Sequence, residues 1–158
     1  MKKKFNWLIL LIFGILLAGQ SCQKDDNFHS IKSVEREIHN KVNDYRASKG
    51  LNTLVEQYLI FEEARKVSNK LANGTYTLGD PLIQDFVNEL TQNLGGNSNG
   101  WISITSGIEN ADTIVNAMLD DAFAVNIIEK EYTQSGVGVS EGQDGIFYVC
   151  HILINIPN

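Results

Sequence analysis

The segment Ile146–Ile156 most constrains what this chain can fold into. Ile146, Tyr148, Cys150, Ile152 and Ile154 fall on one face of an extended strand, and Phe147, Val149, His151 and Leu153 on the other, because successive strand side chains alternate. A strand that is apolar on both faces must be covered on both, so the rest of the chain has to supply a layer on each side. Helical patterns supply them. Ile31, Val34, Ile38, Val42 and Tyr45 recur at three and four residues, which predicts a helix over about 30–48, stopped by Gly50. A second helix is predicted from Glu56 to Ala72, ending at Asn73-Gly74, and a third from Asp80-Pro81 to about Thr91, where Asp80 caps and Pro81 occupies the first turn. A fourth, capped by Asn110 or Asp112, turns Ile114, Val115, Met118 and Leu119 inward. Strands are expected at Trp101–Thr105 and Gly136–Val139, with a turn over Glu141–Gly145. The implied class is α+β: a three-layer α-β-α sandwich with about four helices around a small antiparallel sheet.

The N-terminus has a different character. Met1-Lys2-Lys3-Lys4 is a basic region, Trp7–Ala18 an apolar run of about twelve residues, and Gly19-Gln20-Ser21 places small residues before Cys22. Such a run is too short to cross a bilayer of about 30 Å at 1.5 Å per residue. The pattern reads as a lipoprotein signal over residues 1–21, with Cys22 as the acylated residue, a polar tether over 22–29 that includes His29, and one domain over 30–158. Acyl chains would then hold the protein to the membrane, two or more being needed for stable attachment. Asp25-Asp26 resembles the acidic export signals of some surface lipoproteins of Gram-negative bacteria, and an outer-membrane lipoprotein of the bacterial cell envelope is expected, with periplasmic and surface orientations both open.

Removing Lys2, Lys3 and Lys4 leaves 10 Lys and Arg against 19 Asp and Glu, a net charge of about −9. That surface repels phosphate backbones, so nucleic acid is excluded as the expected partner, as is electrostatic docking on anionic lipid. Cys150 would have no disulfide partner once Cys22 is acylated, and its apolar surroundings predict an inert buried thiol.

Three segments resemble the CAP superfamily, the cysteine-rich secretory, antigen 5 and pathogenesis-related-1 domain. His39–Leu51 is similar to the family's first-helix pattern, with Asn43, Arg46, Gly50, Leu51 and Leu54 at its recurrent positions. Val125-Asn126-Ile127-Ile128 followed by Tyr132–Val139 resembles the family's "RANIL...F.EVGVGV" stretch. Gln92-Asn93-Leu94-Gly95 stands where the family has "ENIA". The resemblance implies a cleft that commonly carries two His and two acidic groups. Here the "PGHRAN" His corresponds to Phe123, the "GHD" motif falls near Thr77-Leu78-Gly79-Asp80 without a His, and the "ENIA" Glu reads as Gln92. Phenylalanine cannot ligate a metal and Gln carries no negative charge.

Thr77, Asp80, Gln92, Asn93, Phe123, Asn126 and His151 are therefore the candidate cleft, with no catalytic residue, metal or cofactor expected. The resemblance implies a binding domain for an extracytoplasmic small apolar ligand, glycan or protein. Two alternatives stand beside it: a cell-envelope hydrolase or protease using carboxylates with His39 or His151, and a structural envelope protein. His39 is expected at the helix surface, His151 as a hydrogen-bonded core or cleft residue. Adjacent carboxylates such as Glu62-Glu63 and Asp120-Asp121 do not face each other on a helix and read as solvated surface.

Overall fold

The computed structural model describes residues 32–96, 100–107 and 110–157. The signal, Cys22 and the tether lie outside the described residues. Within them the elements run α1 (Ser33–Ser48), β1 (Val55–Glu56), α2 (Tyr58–Ala72), α3 (Pro81–Asn93), β2 (Trp101–Gly107), α4 (Ala111–Asp120), α5 (Ala122–Ile128), β3 (Gln134–Glu141) and β4 (Phe147–Ile154).

Local chemistry sets most boundaries. The Asp80 side chain accepts from Leu82 N at 3.0 Å in front of Pro81. Asn110 caps α4 by accepting from Asp112 N and Thr113 N at 2.9 and 3.3 Å, and Asp121 caps α5 through Phe123 N at 2.8 Å. Each cap satisfies amide groups that the first helical turn leaves orphaned. Gly50, just past the end of α1, has φ +72°, a left-handed conformation that glycine adopts without a Cβ penalty.

The sheet order is β1-β3-β4-β2. β3 and β4 form an antiparallel hairpin in which Gly138 faces Cys150, and β2 pairs antiparallel with the far side of β4. β1 runs parallel to β3, so the sheet is mixed rather than wholly antiparallel. This two-residue strand occupies Val55–Glu56, where the sequence pattern predicts the start of the second helix, and is tied by Val55 N to Thr133 O at 2.8 Å and Gln57 N to Ser135 O at 3.2 Å. A two-residue strand has no period to detect. The fifth helix, α5, also escapes the sequence pattern, its seven residues spanning barely two turns.

The two faces of β4 behave as their alternation requires. Val149 and Leu153 join Val137 and Val139 in a core with Ile38 and Val42 of α1, Ile114, Val115 and Met118 of α4, and Ile127 and Ile128 of α5. Cys150, Ile152 and Ile154 join Ile60, Ala64, Val67 and Leu71 of α2 and Ile83 and Val87 of α3. Helices thus cover both faces of the sheet, as the greasy C-terminal strand demanded. Burial at about 25 cal/mol per Å² of apolar surface makes these two cores the main source of stability.

Candidate functional site

Two groups of side chains stand out: a buried polar seam between α1 and the sheet, and an aromatic pair in which exposed Phe123 of α5 meets half-buried Trp101 of the edge strand β2.

The seam starts at Asn43, whose Oδ1 accepts from Leu54 N at 2.7 Å while Nδ2 donates to Leu54 O at 2.9 Å and to His39 Nε2 at 3.1 Å. Because Leu54 N fixes the amide orientation, His39 Nε2 must accept, so the ring proton sits on Nδ1 and points to Ser135 Oγ at 3.0 Å. Burial holds the His39 pKa below its ordinary value, consistent with that neutral tautomer. The expected surface position for His39 is thereby corrected: it is 3% exposed. One turn beyond Asn43 stands Arg46, which is 1% exposed. Its Nε donates to Asn52 O at 2.8 Å, and its Nη1 to Lys130 O at 3.0 Å and to Ile128 O.

His151 lies on the same sheet face, paired in register with Val137 and Ser103. It is fully buried, and neither ring nitrogen has a hydrogen-bond partner. Burial pushes its pKa down to about 3, with the Arg46 charge, and that of His39 once protonated, acting in the same sense. The hydrogen-bonded role expected for it is therefore corrected to an unpartnered core imidazole. Cys150, its neighbour in sequence, is a buried free thiol that burial pushes well above its ordinary pKa.

The remaining candidates are spread around the domain. Thr77 is exposed in the α2–α3 connection and its carbonyl accepts from Asp80 N at 3.1 Å, so these two are joined. Gln92 and Asn93 are exposed on the last turn of α3. Phe123 and Asn126 share α5 and are both exposed. Two cavities with described linings, of about 420 and 280 Å³, contain none of the seven. Among the described residues no group of three or more His, Cys, Asp or Glu side chains is arranged to hold a metal ion.

Phe123 is 64% exposed and meets Trp101 edge-on, with ring centroids 5.5 Å apart and planes at 69°. Lys130 Nζ lies 5.6 Å from the Trp101 ring centroid. Trp101 Nε1 is buried without an acceptor. Sequence reasoning singles out Phe123 but not its partner. The available signal is a Trp opening a strand straight after a Gly-rich loop, which alternation alone marks only as half-buried.

The family model of the cysteine-rich secretory protein family, CAP, matches residues 39–152. This chain belongs to the CAP family. Its fold is shared with an outer surface protein from Borrelia burgdorferi, at a TM-score of 0.68 and 17% identity over 81% of this chain and 96% of that one. It is also shared with an extracellular protein containing a SCP domain from Bacillus anthracis str. Ames, at a TM-score of 0.58 and 18% identity over 77% of this chain and 40% of that one. No curated protein sequence matches the chain. In this CAP domain the recurrent first-helix residues have structural roles: Asn43 holds the backbone of Leu54, itself 3% exposed, and Arg46 gathers a carbonyl beyond α1 and two at and beyond the end of α5. The family's "GVGV" glycines, Gly136 and Gly138, lie against the backbone of α2.

Proposed function

We propose that this CAP domain is a lipid-anchored, extracytoplasmic binding protein that is not an enzyme, and that its contact surface is the aromatic ledge of Phe123 and Trp101. The observation that carries this reading is Phe123 itself: a large apolar ring left 64% exposed and held edge-on by Trp101, at the position where the family pattern has a His. Exposed aromatic faces bind the flat apolar face of a small ligand, the C–H face of a sugar or an apolar side chain of a partner protein. The Lys130 ammonium beside Trp101 adds a polar rim. Anchoring is supported by the basic start, apolar run and Cys22. An extracytoplasmic place is supported by the fold neighbours, one an outer surface protein and one an extracellular protein. The histidines favour no hydrolytic reading, since His151 is fully buried and both nitrogens of His39 are occupied inside the fold.

Labelling with a radioactive fatty acid tests the anchor: incorporation should vanish in Cys22→Ala. For the ledge, the full chain in neutral detergent is titrated with sterol, fatty-acid and glycan panels while tryptophan fluorescence is followed. Binding that perturbs the emission and weakens at least tenfold in Phe123→Ala supports the reading. Binding that Phe123→Ala leaves unchanged, or no binding by any panel member, refutes the ledge as the contact surface.

A further inference from the structure

Arg46 has donors to spare. A guanidinium has five N–H donors, and three are consumed by the carbonyls of Asn52, Ile128 and Lys130. The other two, both on Nη2, donate to no described residue. Nor does a described carboxylate neutralise the charge, and burial alone governs its pKa, which is lowered. The charge of Arg46, 1% exposed and without a described counter-ion, therefore rests on those three carbonyls and on what occupies the space beside it. Arg46 borders a cavity of about 420 Å³, also lined by Asn52, Lys130, Glu131, Tyr132 and Asn155, a size suited to a small molecule.

We propose that this cavity is a binding site for a small monocarboxylate, whose anionic head is received by Arg46 and whose polar body lies against Asn52, Tyr132 and Asn155. The lining favours an anion, and one carboxylate neutralises it: Arg46 and Lys130 contribute two positive charges and Glu131 one negative. Lys130 borders both this cavity and the aromatic ledge, but the Arg46 site does not depend on the ledge binding a ligand.

Calorimetry on the full chain in neutral detergent tests the site, with N-acetylalanine as probe and N-acetylalanine amide and inorganic phosphate as controls. The acid should bind with a Kd on the order of 1 mM, at least tenfold more tightly than either control. Lys130 and Glu131 are exposed, so their substitution leaves the fold intact: Glu131→Gln should tighten the acid several-fold and Lys130→Ala loosen it several-fold. An amide that binds as well as the acid, phosphate that binds at least as tightly, no binding by the acid, or a Glu131→Gln variant with unchanged affinity would each overturn the proposal.

Discussion

The two faces of the sheet are built on opposite principles. Towards α2 and α3, contact is made by removing side chains: a Cβ on Gly136 would stand 2.3 Å from Phe61 N, and one on Gly138 would stand 2.2 Å from Ala64 C and Arg65 N. Backbone meets backbone there. Towards α1, the interior holds Glu35, His39, Arg46, Ser103, Ser135 and His151, all less than 9% exposed, against only Ser68 and Thr91 on α2 and α3 among the described residues. Glu35 accepts from Lys32 N, Val139 N and Arg65 Nε at 2.9, 3.2 and 2.9 Å, and from Arg65 Nη2, tying α1, β3 and α2 together. One face adds to its apolar core a close backbone approach at Gly136 and Gly138, and tolerates no added volume there. The other holds polar groups whose partners decide whether each helps or harms.

The sharpest way to break this contrast is Gly138→Val. The atoms in its way are main chain and cannot swing aside, so the loss should exceed about 4 kcal/mol, beyond the range of ordinary substitutions. Circular dichroism should show no cooperative melting transition. A native-like melt would mean that α2 does not lie against β3 as described. Glu35→Ala comes next, with an expected loss of about 3 kcal/mol in urea unfolding, because it removes the fully buried carboxylate that accepts from the Val139 amide and ties α1 to Arg65 of α2.

His151 sharpens the comparison differently. Its imidazole has no partner, so His151→Leu should be neutral or stabilising by about 1 kcal/mol at pH 7. In the folded chain His151 stays neutral down to about pH 3, whereas in the unfolded chain it takes up a proton near its ordinary 6.5. Between those values the unfolded state holds the extra proton, so the stability present above pH 6.5 falls as pH falls towards 3. His39, also lowered, acts in the same direction. The variant should therefore show a shallower acid-side decline in urea stability, and an unchanged slope would contradict the burial of His151. The smallest effect belongs to Phe123→Ala. An exposed ring contributes little to folding, and stability should change by no more than about 0.5 kcal/mol even as ligand binding is lost.

The residue pattern by itself determined the layering: a C-terminal strand apolar on both faces, helix stripes at three and four residues, and caps at Asp80 and Asn110 are local signals, readable wherever the chain goes. The motif at Asn43, Arg46 and Gly50 carried the family for the same reason, since it recurs at short spacing. Tertiary structure alone decided what these residues meet. His39 reads as a surface residue until Ser135, far along the chain, arrives at its Nδ1. The two-residue strand β1 exists only because β3 offers it a parallel edge. Phe123 gains a role from Trp101, a partner on another element, and Arg46 meets carbonyls of Asn52, Ile128 and Lys130 that only the fold brings to it. Periodicity encodes which side of an element is apolar, whereas hydrogen-bond partners and exposure depend on chain segments brought together across long sequence separations, which no local pattern records.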